Sequence, residues 1–138
     1  MSLSDTIQGA IQRETPVIGM EETMETVLKT MTGKDSFALL VKAGDELVGI
    51  VNDTDVLHCL AGGLDIRETK VADIMTECQL ITREGVRKPC VQIDENEQVH
   101  LALKIMNEAG VHHLLVSSEN GRVVGLVSAA DLLKQAVA

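Results

Sequence analysis

Residues 46–60 read ELVGIVNDTDVLHCL, and residues 122–136 read RVVGLVSAADLLKQA. Laid over each other at an offset of 76, they share Val48/Val124, Gly49/Gly125, Val51/Val127, Asp55/Asp131 and Leu57/Leu133. Upstream, at an offset of 75, Leu28-Lys29 and Met31 meet Leu103-Lys104 and Met106, Leu39-Leu40-Val41 meets Leu114-Leu115-Val116, and Glu22 meets Glu97. Over residues 22–60 the identities amount to 12 of 39 positions. That is too many for unrelated segments, and the chain is read as two tandem copies of one unit. The copies differ in length only where loops are expected. The turn Glu119-Asn120-Gly121 gains one residue over Gly44-Asp45, and seven more enter between Met75 and Val91. A fainter match, Leu3–Ile7 with Val71–Met75 at an offset of 68, extends the repeat upstream.

Each copy reads β-α-β-β-α. A short strand (Val17-Ile18; Val91–Ile93) leads into a helix whose apolar residues recur at helical spacing: Met24, Val27, Leu28 and Met31 in the first copy, Val99, Ala102, Leu103 and Met106 in the second. A hairpin follows, Phe37–Val41 with Leu47–Val51 or His113–Val116 with Val123–Val127, and then a helix over 53–60 or 129–136. The fold class expected is α+β, two such repeats packed with pseudo-two-fold symmetry, since one copy alone buries too little apolar surface. The first repeat is assigned to 1–63, a linker to 64–70 and the second repeat to 71–138, with an insertion at about 77–90.

Composition narrows the function. The 138 residues carry 12 Lys+Arg against 21 Asp+Glu, a formal net charge of −9, and a single Phe with no Tyr or Trp. An acidic surface without aromatics argues against nucleic acid and against anionic membranes as partners. Cys59, Cys78 and Cys90 show no paired spacing, which disfavours a disulfide scaffold or a structural zinc and fits a cytoplasmic location. No apolar run approaches the roughly 20 residues that span a bilayer, and no leader pattern opens the chain. Phosphate-loop, H-E-x-x-H and G-x-S-x-G signatures are absent, and no enzyme is expected.

The closing pattern h-V-G-h-V-x-x-x-D-h-L, present twice and joined by Val71-Ala72-Asp73-Ile74-Met75-Thr76, resembles the cystathionine-β-synthase (CBS) domain pair, or Bateman module. The resemblance covers essentially the whole chain. It implies a regulatory sensor that binds an adenosyl ligand (AMP, ADP, ATP or S-adenosylmethionine) in clefts between repeats, pairs as a homodimer and acts on a separate effector protein. No obligatory cofactor follows from it.

Two readings attach to the motif residues. Ser128 with Asp131, and Asn52 with Asp55, have the spacing of a helix capping box. The resemblance adds that Asp131 and Asp55 would take a ribose diol, and that Ser128 would approach phosphate. Asn52 replaces the usual Ser/Thr in the first copy, and Asp53 adds a charge that repels phosphate there. His113 stands where related modules place a basic phosphate contact, while the first copy has Ala38. The expected ligand-binding residues are therefore Asp131, Ser128 and His113, with Asp55 and Asn52 as the weaker counterpart. With one Phe in the chain, adenine is expected in an aliphatic slot. Arg83, Arg87 and Lys88 form a basic cluster in the insertion, read as a solvated loop or a lid. Dimerisation is expected on Leu57, Leu60, Leu132 and Leu133. The alternative function is an interaction module whose clefts are vestigial.

Overall fold

The structure, a computed structural model, describes residues 5–34, 36–77, 92–135 and 137. They divide into two compact units. One holds described residues 15–77, and the other joins the residues up to Glu14 to those from 92 onward.

The first of these units carries β1 (Val17–Gly19), α1 (Met24–Lys34), β2 (Ala38–Ala43), β3 (Glu46–Asn52), α2 (Asp53–Ala61), a short α3 (Val71–Ile74) and β4 (Thr76–Glu77). Its sheet order is β1-β2-β3-β4, with β1 parallel to β2 and the remaining pairs antiparallel. Leu39, Val41 and Val51 alternate onto the face covered by Met24, Val27 and Met31 of α1 and by Val56 and Cys59 of α2. These are the apolar positions that the helical and strand periods select, so sequence pattern and core coincide.

The second unit repeats the plan with a 3-10 turn (Ile7–Ala10), β5 (Gln92–Asp94), α4 (Val99–Ala109), β6 (His113–Ser117), β7 (Val123–Ser128) and α5 (Ala129–Gln135). Its sheet runs β5-β6-β7, again parallel then antiparallel. Leu114, Val116 and Val127 face Val99, Ala102 and Met106 of α4 and Leu132 of α5. A register shift interrupts both hairpins at the same place, Val41/Lys42 and Val116/Ser117. The mixed α+β class and the two β-α-β-β-α repeats are thus present.

Compact units and sequence repeats do not share their boundaries. The segment that closes the second repeat is the N-terminal stretch: Ile7 N–H donates to Glu97 O (2.9 Å), Val99 N–H to Asp5 O (2.9 Å) and Gln12 N–H to Leu126 O (2.7 Å). The same bonds recur in the first repeat from the stretch beyond its last helix. There Val71 N–H donates to Glu22 O (2.8 Å), Met24 N–H to Thr69 O (2.9 Å), and Thr76 lies opposite Ile50. Ile7 therefore corresponds to Val71 and Gln12 to Thr76, an offset of 64 rather than 68. The reason is bonding: short polar motifs such as Leu3–Ile7 align by eye, but a buried apolar plug and its paired carbonyl define equivalence.

The residues 64–70 read as a linker are likewise folded into the first unit. Ile66 packs against its core, and Glu25 N–H donates to Ile66 O at 3.0 Å. A helix leaves its first N–H groups without intrahelical partners. In α1 and α4 tertiary carbonyls of the closing segments meet that need, which is why Gln98, a poor capping residue, is tolerated before α4.

The glycine shared by both copies has a cause in this arrangement. A Cβ on Gly49 would lie 2.7 Å from Thr76 O and 2.9 Å from Met75 Sδ, and one on Gly125 would overlap Gln12 O. Each closing segment pairs alongside its hairpin next to that residue, so backbone meets backbone where no side chain fits.

Candidate functional site

In the second unit the hairpin register sets His113 directly opposite Ser128, and Leu115 opposite Leu126. Strand alternation puts these four on the sheet face away from α4 and α5, because Leu114, Val116 and Val127 take the helix-backed side. Asp131 joins them from the first turn of α5, its N–H donating to Ser128 Oγ at 3.1 Å. The carboxylate of Asp131 turns outward to Lys134 Nζ at 3.7 Å, an ion pair with both partners well exposed. Exposed pairs of this kind are worth little, so a ligand could displace it cheaply. Three residues picked from sequence, His113, Ser128 and Asp131, thus come together beside two apolar side chains.

The first unit brings together the matching set but uses it differently. Ala38 lies opposite Asn52, and Leu40 opposite Ile50. Asn52 caps α2 in a complete capping box: its Oδ1 accepts from Asp55 N–H at 3.1 Å, and Asp55 Oδ2 accepts from Asn52 N–H at 2.8 Å. Asp53 Oδ1 in turn accepts from Thr54 N–H at 3.0 Å. The Asp55 carboxylate is therefore engaged by its own helix, whereas among the described residues the Asp131 carboxylate pairs with an exposed lysine. The capping reading fits Asp55 and Asn52 fully, and at α5 the Ser128 hydroxyl plays the same capping part.

Burial pushes the Asp55 carboxyl above its ordinary range, against the pull of the Asn52 N–H bond and of His58, while the charge on Asp53 adds to the rise. A carboxyl whose folded pKa is raised binds its proton more tightly when folded. Its contribution to stability is full below the ordinary carboxylate value and declines as pH rises through the raised value. Asp55→Asn keeps an acceptor for Asn52 N–H and loses the charge. The variant is expected to lack this decline, so that the melting temperature of the wild type falls relative to it across that acidic window. Parallel pH profiles of the two proteins would refute the assignment.

The surface follows the sequence reading in part. Leu57 (61% exposed) and Leu60 lie outward on α2, and Leu133 (57%) on α5. Leu132 does not: it is 0% exposed and belongs to the core of its unit. Consecutive helix positions point about 100° apart, and the packing of α5 on its sheet turns Leu132 inward while Leu133 stays exposed. The basic cluster Arg83, Arg87 and Lys88 lies outside the described residues. Among those described, no three metal-ligating side chains converge, and no helix is long and apolar enough to cross a membrane.

What sequence reasoning missed were the closing segments. Two signals were available, the faint Leu3–Ile7/Val71–Met75 match, set four residues out of register, and the glycine pair Gly49/Gly125, whose identity in both copies called for a close backbone neighbour.

Comparison with known proteins bears on both fold and family. The CBS domain family profile matches residues 7–62 and again 71–138, starting at Ile7 and Val71, the pair that the bonding makes equivalent. An uncharacterised protein of Methanocaldococcus jannaschii is 29% identical over 112 residues, covering 81% of this chain and 33% of that protein. The inosine-5'-monophosphate dehydrogenase of Korarchaeum cryptofilum is 29% identical over 122 residues, 88% of this chain and 22% of the enzyme. The chain thus spans a third or less of the length of these relatives. In structure, a CBS-domain-containing protein of Agrobacterium tumefaciens superposes with a TM-score of 0.77 at 21% identity, covering 96% of this chain and 93% of the other. Two profile matches that take in both repeats, on the fold of that structure, make this chain a tandem pair of CBS domains.

Proposed function

We propose that the chain is a cytoplasmic regulatory sensor that takes an adenosyl ligand at the sheet face carrying His113, Ser128 and Asp131, and that its occupancy alters a separate partner protein. The observation that supports this reading is the register that sets His113 opposite Ser128, with Asp131 N–H donating to the Ser128 hydroxyl. The two carboxylate oxygens of Asp131 can accept from both hydroxyls of a ribose. Ser128 Oγ and the imidazole of His113 offer donors to phosphate, and the scarcity of aromatic residues requires an aliphatic slot for a purine. Asp55, held in its capping box, makes the first repeat the poorer binder. Regulation then needs only that the ligand favour one packing of the protein over another.

Titration calorimetry with AMP, ATP and S-adenosylmethionine tests the proposal. At least one of them is expected to bind more tightly than about millimolar. Asp131→Ala should weaken it at least about tenfold, the worth of hydrogen bonds to a charged acceptor. Absence of binding by all three, or unchanged binding to the variant, overturns the reading.

The second reading, an interaction module without a physiological nucleotide, draws on the outward apolar residues Leu57, Leu60 and Leu133 and on the commitment of Asp55 to its helix. A homodimer built on those leucines is compatible with both readings. Light scattering that finds a monomer at high concentration would remove it.

A further inference from the structure

The two copies differ in the chemistry of their hairpin turns. In the first unit the turn between β2 and β3 holds Gly44-Asp45, and in the second the turn between β6 and β7 holds Asn120-Gly121. A glycine after asparagine removes the side chain that otherwise shields the following peptide nitrogen. Of the four asparagines, Asn52, Asn96, Asn107 and Asn120, only Asn120 precedes glycine.

The turn itself favours reaction at this residue. Asn120 and Gly121 are both exposed. Gly121 adopts φ +82°, and no atom lies within 4 Å of where a Cβ would stand, so solvent reaches the peptide from that side. Asn120 Oδ1 accepts from Arg122 N–H at 3.2 Å and from the Ser118 hydroxyl. The bond to Arg122 folds the carboxamide back over the Asn120–Gly121 peptide, as side chains of asparagine do in turns. Two donors on one carbonyl oxygen also draw electrons from Cγ and stabilise the negative charge that develops on the oxygen under attack.

We propose that Asn120 is a site of spontaneous deamidation in the folded protein, with the Ser118 hydroxyl and the Arg122 N–H activating its carboxamide. The Gly121 amide first leaves its bond to Ser118 O (2.9 Å) and gives its proton to hydroxide. Its nitrogen then forms a bond to Asn120 Cγ, the Cγ–Nδ2 bond breaks, and the amide nitrogen departs as ammonia after taking a proton from water. One water next opens the five-membered imide at either carbonyl. Hydrolysis at one restores the normal backbone with Asp at 120, and at the other it routes the chain through the side chain as isoaspartate. Either product adds a negative charge to a chain already at −9. The isoaspartyl form also lengthens the turn and strains the Ser118 N–H bond to Arg122 O. The first repeat, with Gly44-Asp45, is exempt.

The experiment incubates the purified full chain at mildly alkaline pH and maps peptides by mass spectrometry, beside the same chain unfolded in urea. Conversion of amide to acid is expected at Asn120 in the folded chain within the period in which the unfolded chain converts, with Asn52, Asn96 and Asn107 unchanged. Ser118→Ala should slow the folded chain roughly fivefold, about one hydrogen bond, while leaving the unfolded rate alone. If the folded chain stays intact at Asn120 while the unfolded one converts, the turn protects rather than promotes and the proposal fails. It fails equally if Ser118→Ala reacts at the wild-type rate when folded.

Discussion

Replacing Ile7 by alanine is expected to cost about 3 kcal/mol of stability, although the residue stands near the start of the chain and far in sequence from every strand it serves. Ile7 is 0% exposed and packs in the core formed with Ile93, Val99, Ala102, Met106, Leu114, Val116, Val127 and Leu132. Truncation removes methylenes from that cluster and leaves a void that the backbone bonds on either side, Ile7 N–H to Glu97 O and Val99 N–H to Asp5 O, hold open. The loss belongs to one unit only. Urea unfolding should show the reduced midpoint. Hydrogen exchange should show protection falling in α4 and β7 before it falls in β2 and β3. A cost under about 1 kcal/mol, the level of an ordinary surface change, would mean that the N-terminal stretch does not close the second repeat.

The second large effect is expected from Gly125→Ala. The added methyl overlaps the Gln12 carbonyl oxygen, and backbone has no rotamer by which to yield. The closing segment must lift away, breaking the bonds that Gln12 and Leu126 exchange, Gln12 N–H to Leu126 O (2.7 Å) and Leu126 N–H to Gln12 O (3.2 Å). Overpacking of this kind costs about 1–3 kcal/mol, and the two bonds add about 1 kcal/mol each. Gly49→Ala is expected to act in the same direction in the other unit, against Thr76 O and Met75. Thermal melts that place both variants near the wild type would show that the segments pass the sheet at greater distance.

These two positions show how much of the protein was legible beforehand. The hairpins, the helices and the inner positions of α1 and α4 followed from periodicity, because burial on one face imposes period 2 on strands and near 3.6 on helices. Met24, Val27, Met31, Val99, Ala102 and Met106 were read in this way and are buried, while Leu28 and Leu103, read alike, are partly buried at the margin of their cores. The candidate site was expected as a list: Asp131 recurs as Asp55 in the first copy, while Ser128 and His113 were picked through the family resemblance. Their adjacency was not. His113 and Ser128 lie fifteen residues apart, and only the hairpin register makes them neighbours. Leu132 was misjudged for a related reason: it and Leu133 are equally apolar, and only the packing of α5 on its sheet separates the buried one from the exposed.

The sequence alone determined the number of repeats, the β-α-β-β-α order, the class of the core and the CBS family, all of which are written in local patterns that repeat. Tertiary structure decided which stretch completes which repeat, and hence that Ile7 answers to Val71 and that Gly49 and Gly125 admit no side chain. It also decided that Asp55 is held by its own helix cap while the Asp131 carboxylate pairs with an exposed lysine. The physical reason is the same in each case. Periodicity reports whether a residue is buried, whereas a carbonyl oxygen from a distant segment, which caps a helix or lies against a glycine, leaves no period behind.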